Sequence, residues 1–146
     1  MQYPLYLLLA ALLVLFHSCK KEKALPAPEQ AEQKMATFHV FASKDYSTTP
    51  SQNTTAEVRL QLQVINYRTG EQKIVWDSIL AVKPLKDFPL EHQKISVVKV
   101  HPVLNSHQKL NAGISVIYRD GQIISQEAKN DEAGPGISHI VISAAL

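Results

Sequence analysis

The side chains of this 146-residue chain best suited to chemistry are one cysteine, six histidines and thirteen carboxylates. Cys19 stands alone where an apolar run ends and the charged stretch Lys20-Lys21-Glu22-Lys23 begins, a place for attachment more than for turnover. The histidines His17, His39, His92, His101, His107 and His139 lack the short spacings by which zinc ligands are brought together. Asp131-Glu132 are the carboxylates nearest to a calcium loop, yet no Asp-x-Asp-x-Asp run surrounds them, and the segment reads as a solvated turn. No Gly-x-Ser-x-Gly elbow holds a serine nucleophile. A pair of glycosidase carboxylates is a matter of spatial geometry, and a domain this small leaves little room for a deep cleft. The expectation is a protein that is not an enzyme, with no metal and no cofactor.

The elements that must position these groups begin with the apolar run Leu5 to Phe16. At about a dozen residues it is well short of the roughly 20 that a spanning helix needs, and it fits the core of a secretory signal. With Leu13-Val14-Leu15-Phe16-His17-Ser18-Cys19, in which a small residue precedes a cysteine, it resembles the lipobox of bacterial lipoproteins. That resemblance implies a diacylglycerol thioether on Cys19, cleavage before it and acylation, such as a palmitoyl chain, on the freed amine. The lipid bilayer is then the first partner. Each buried CH₂ contributes about 0.8 kcal/mol, so two or three chains hold a protein almost permanently. In such lipoproteins the residue after the cysteine sorts between membranes, and Lys20 is not the aspartate of inner-membrane retention. The cell outer membrane is therefore expected, with the face left open. Two other readings remain. Cys19 could follow a conventional signal, or the lysines after the run could orient a short reverse anchor.

From Lys20 to Lys34 the chain is rich in charge and glutamine and carries Pro26 and Pro28, a composition that buries little and favours a solvated tether. The organisation expected is a signal at 1–18, a lipidated N-terminus and tether at 19–34, and one domain at 35–146. A net charge of +2 is too small and too evenly spread to argue for nucleic acid. No cysteine remains in the domain for a disulfide, so its core alone must hold it.

Beyond Met35 the apolar period is two, the signature of half-buried strands. Val58, Leu60, Leu62 and Val64 alternate with Glu57, Arg59, Gln61 and Gln63, and Tyr67 to Glu71 supplies a turn before a return strand at Lys73 to Leu80. Leu110, Ala112, Ile114, Val116 and Tyr118 repeat the pattern. Asp120-Gly121 then reads as a two-residue hairpin loop that sets Tyr118 opposite Ile123. Further strands are expected at Thr37 to Ser43, Ile95 to Val103, Ile123 to Ala128 and Ile137 to Ala144. Pro84, Pro89 and Pro102 should mark edges or strand ends, because proline cannot donate to a ladder.

Seven or eight short strands without an amphipathic helix resemble an all-β, antiparallel immunoglobulin-like or fibronectin-type sandwich, with Trp76 expected between the sheets. Binding should fall to loops at its ends. Lys44 to Thr55 is hydroxyl-rich around Tyr46 and suits a glycan or a protein surface. Val82 to Leu90, with Leu85 and Phe88 among prolines, either covers the end of the core or offers a partner an apolar patch. Asn53-Thr54-Thr55 and Asp77-Ser78-Ile79 match short glycosylation acceptors. The function expected is a non-catalytic binding or assembly module of the cell envelope whose partner is a glycan or an envelope protein. The alternatives are a structural subunit or spacer of an envelope or pilus-like assembly, and then a small hydrolase.

Overall fold

A computed structural model describes residues 29–146; the expected signal, Cys19 and most of the expected tether lie outside the described residues. The described chain is an all-β sandwich of seven strands: β1 Glu32–Phe41, β2 Thr55–Asn66, β3 Gln72–Pro84, β4 Ile95–Val103, β5 Gln108–Asp120, β6 Ile123–Ala133 and β7 His139–Ala145. One sheet has three strands in the order β4-β1-β7 and the other four in the order β3-β2-β5-β6. Every pairing is antiparallel except β1 with β7, which run parallel. Only short 3-10 turns interrupt the strands, at Pro50–Asn53, Leu85–Asp87 and Glu91–Gln93. Among the described residues no helix is long and apolar enough to cross a membrane.

The core follows from the alternation. Ala36, Phe38 and Val40 of β1 and Ile140, Ile142 and Ala144 of β7 face Val58, Leu60 and Leu62 of β2 and Leu110, Ala112, Ile114 and Val116 of β5. Trp76 joins this core from the edge strand β3. Its ring lies 5.8 Å from that of Phe38 at 45°, and the Lys99 ammonium covers it 4.7 Å from the centroid. The tryptophan is thus between the sheets on one face and closed by a cation on the other.

Several boundaries differ from the sequence expectation. β1 starts at Glu32, so the last three residues of the expected tether belong to the domain. The reason is Lys34, which occupies an inward position that an apolar pattern does not reveal. β6 runs to Ala133, past the expected end at Ala128 and through Asp131-Glu132, which are strand and not turn. Four strands facing three leave β6 exposed along nearly its whole length, so it needs no apolar face. The β5–β6 loop is Gly121-Gln122, because Asp120 pairs with Ile123. Tyr118 therefore stands opposite Ser125, two residues beyond the expected Ile123, because the loop itself is shifted by one. Gly121, at φ +60°, takes the first loop position, and Gln122 keeps a negative φ, the pattern of a type II′ turn. Pro84 ends β3 and Pro102 lies in β4, both of them edge strands.

Lys34 closes one end of the sandwich. Its side chain is 0% exposed, and its ammonium donates to the carbonyls of Gly134 at 2.8 Å and Ile137 at 2.7 Å, with Glu32 at 3.4 Å. All three donors of the ammonium are thereby used, which is the condition for burying a charge. The bonds tie the start of β1 to the β6–β7 loop.

Candidate functional site

The strands run between two unlike ends. Where the chain enters β1, the connections are tight: the turn 66–71, the loop 104–107 and the loop 134–138. Tyr67 Oη donates to the Asn105 carbonyl and Arg68 Nη2 to that of Ser106, fastening the turn to the loop. At the opposite end lie the two long connections, 42–54 and 85–94, beside the β5–β6 hairpin. β1 spans ten residues between these ends, roughly 30 Å at about 3.3 Å per residue.

A groove of about 350 Å³ opens at this far end, lined by Lys44, Tyr46, Ser51, Thr54, Leu85, Tyr118, Asp120, Ile123 and Ser125. Tyr46 is held by Oη, which donates to the Leu146 backbone oxygen at 3.0 Å, an oxygen that also accepts from Ser43 Oγ at 2.7 Å. The loop before it is set locally, because the Asp45 carboxylate accepts from the Ser47 amide at 2.8 Å. The same bond holds Asp45 below the usual carboxylate range. The Lys44 ammonium lies 5.2 Å from the Tyr46 ring centroid. Tyr118, at the end of β5, has its phenol pushed up to about 12 by burial and then by the nearby Glu127 and Tyr46. Two phenols thus stand close together, with an ammonium and a carboxylate at the rim and hydroxyls between. Such a surface offers stacking, hydrogen bonds and one charge of each sign.

The expected site residues divide. Tyr46 is in the groove. Leu85 and Phe88, at 4% and 5% exposure, belong to the core, so of the two readings of Val82 to Leu90 these side chains fit the cover over the end of the core and not an apolar patch. Phe88 is closed by the Lys83 ammonium, 4.6 Å from its ring, and the segment caps the sandwich through Ala42, whose amide donates to the Pro89 carbonyl at 2.7 Å. Only the edge of Leu85 reaches the groove floor. Cys19 lies outside the described residues. Lys44, Ser51 and Thr54 lie in the loop expected to bind, whereas sequence reasoning missed Tyr118, Asp120 and Ile123 as site residues. The one signal for them was the hairpin at Gly121, which places residues from both its strands at the same end as Tyr46.

The histidines are dispersed. His39 Nδ1 meets Ser96 Oγ at 2.9 Å, His139 Nε2 meets Thr37 Oγ1 at 2.9 Å, His101 faces inward from β4, and His107 lies 3.5 Å from Glu29. Among the described residues no three His, Cys, Asp or Glu side chains stand close enough to hold a metal ion. Asn53 Oδ1 accepts from Lys86 Nζ at 3.2 Å, and Ser78 lies half-buried in β3 opposite Leu60. A second concavity, about 340 Å³ on the outer face of the four-stranded sheet, is lined by amides including Gln61, Gln63 and Asn111. These bond to one another, Asn111 Nδ2 to Gln63 Oε1 and Gln63 Nε2 to Gln61 Oε1, so much of that polarity is already spent.

The chain matches no known protein family, no curated protein and no solved structure.

Proposed function

We propose that this protein is a lipoprotein of the cell outer membrane, anchored through acyl chains on Cys19, with an immunoglobulin-like sandwich that acts as a non-catalytic binding module. The observation that carries the reading is the polarity of the sandwich. The chain enters β1 at one end, and the groove holding Tyr46, Tyr118 and Lys44 opens at the other, roughly 30 Å away along ten strand residues. A domain tethered at its base and concave at its tip presents that tip to whatever lies beyond the membrane surface. The mixture of phenol, hydroxyl and single charges suits a glycan or the polar rim of an envelope protein.

The experiment compares the wild type with the triple variant Lys44→Ala, Asp120→Ala, Ile123→Ser in two assays, retention on oligosaccharides prepared from the organism's own envelope and capture of its extracted envelope proteins. The three side chains lie at the rim of the groove, so the unfolding midpoint should stay within a few degrees. Loss of retention or of capture at an unchanged midpoint is expected. Equal binding by the two proteins in both assays would remove the groove from the function. The anchor is tested separately by the intact mass of the native protein: a free thiol on Cys19 with Met1 still attached contradicts it.

A further inference from the structure

The two sheets have four edge strands, and three carry features that resist the addition of another strand. β3 breaks register twice against β2 and ends in Pro84. β4 contains Pro102 and turns Lys99 inward over Trp76. β6 sets Glu127, Lys129 and Asp131 on the side that faces the other sheet. β7 has none of these. Its residues His-Ile-Val-Ile-Ser-Ala-Ala include no proline, no bulge and no Asp, Glu, Lys or Arg.

The backbone of β7 shows which groups are available. The Met35 amide donates to the Ser138 carbonyl and the Leu146 amide to that of Phe41, so the even-numbered residues turn their backbone groups toward β1. The odd-numbered ones, His139, Val141, Ser143 and Ala145, therefore turn theirs outward. The Ser143 carbonyl agrees with this, since it accepts a bond of 3.3 Å from Lys129 Nζ, which reaches it from β6. That exposed bond costs little to release.

We propose that β7 is a self-association edge, at which a second copy of this chain adds its own β7 antiparallel about a two-fold axis through Ile142. In this register His139 meets Ala145, Ile140 meets Ala144 and Val141 meets Ser143, a bulky residue beside a small one at each of these steps, and Ile142 meets its own copy on the axis. The outward row falls into hydrogen-bonded pairs, each exchanging two backbone bonds. No like charges meet, because the strand has none. A two-fold through Val141 or Ser143 instead leaves two residues of the strand unpaired, whereas the axis through Ile142 pairs all seven. One strand pair buries less than the ~1,200 Å² of a standard interface, so the dimer is weak and calls for covalent trapping. It shares no residue with the groove and extends the function beyond that reading.

The test mixes full-length chains of two kinds, Val141→Cys and Ser143→Cys, one carrying a tag that changes its mass, at high concentration under mild oxidation. Both positions are exposed on the outer face of β7, so folding is not at stake. Residues opposed in a hydrogen-bonded pair have Cα atoms about 5.5 Å apart, within disulfide reach, whereas residues two places off register are about 7–8 Å apart. The mixed 141–143 disulfide should exceed either homodisulfide several-fold. Homodisulfides as abundant as the mixed one overturn the register. No dimer above that of the wild type, whose only cysteine is Cys19, overturns the edge.

Discussion

Replacing Lys34 by methionine keeps the length of the side chain and removes its ammonium, and the structure sets the size of the effect. Two bonds are lost from a fully buried cation to the Gly134 and Ile137 carbonyls, at 2.8 and 2.7 Å. Hydrogen bonds to charged groups contribute about 1.5–3 kcal/mol each, and part of that sum returns because the charge no longer has to be kept out of water. A net loss of about 2–4 kcal/mol is expected for Lys34→Met. Lys34→Ala should lose about 2 kcal/mol more with the buried methylenes of the stem. Glu32→Gln should cost under about 1 kcal/mol, since that carboxylate is 40% exposed and 3.4 Å from the ammonium. For a domain of about 110 residues, 1 kcal/mol moves the midpoint by roughly 4 °C, so the methionine variant should melt about 8–16 °C lower. Urea unfolding followed by the fluorescence of Trp76, the only tryptophan, measures all three variants against the wild type. A Lys34→Met protein within about 0.5 kcal/mol of the wild type would refute the reasoning, because the latch between β1 and the β6–β7 loop would then contribute nothing net.

Three further predictions concern other parts of the domain. Phe88→Ala should lower stability by about 3–5 kcal/mol in the same denaturation assay, as expected of a core ring and not of a surface patch. His39 and His101 both sit below the usual imidazole range, each through burial first and then a lysine, Lys94 and Lys73 respectively. The unfolded chain thus takes up protons before the native one does, and stability should fall as pH drops through 6.5 and below. His101→Asn should flatten that slope in unfolding midpoints measured from neutral to mildly acidic pH. Tyr118, with its phenol pushed up to about 12, should give a phenolate step near that pH in an alkaline absorbance titration, and Tyr118→Phe should delete that step. Because the native phenol holds its proton longer than the unfolded one, the stability it contributes is lost as pH rises from 10 to about 12.

How much of this was legible in the sequence depended on which strands are buried on one face only. β2 and β5 lie in the middle of the four-stranded sheet, and Val58, Leu60, Leu62 and Leu110 to Val116 therefore alternate cleanly. The ends that were misjudged are the ones where burial and hydropathy part company. Lys34 is buried because its charge is satisfied by carbonyls some 100 residues away in sequence, which no local pattern contains. β6 is polar on both faces because the opposite sheet is one strand narrower, so its alternation vanishes although its ladder to β5 is complete. The hairpin register hung on whether glycine takes the first or the second loop position, and both satisfy a positive φ. Tyr46 was legible as an aromatic in a polar loop. Tyr118 was not, because it closes a strand alternation and looks like one more core residue. The parallel pairing of β1 with β7 is a choice of partner, and the sequence of each strand is compatible with several.

The two ends of the sandwich differ in a way that the topology does not demand, and the difference bears on where the proposed recognition is placed. Two connections must cross between the sheets at the groove end, β1 to β2 and β3 to β4, and both are long, at 42–54 and 85–94. At the other end two connections also cross, β4 to β5 and β6 to β7, yet they take only 104–107 and 134–138. The difference is not demanded by the span, which is the same pair of layers in each case. At the short end the chain is drawn tight by Lys34 and by the bonds of Tyr67 and Arg68 to the 104–107 loop. The extra residues at the long end are used twice. Leu85 and Phe88 seal the core, which leaves Lys44 and Ser51 free of that duty, and these line the groove with Tyr46 and Thr54 beside the hairpin of Tyr118 and Asp120. A chain that needed only to close its sandwich could have used the short connections at both ends, so the additional length at the far end is where the proposed binding is best tested.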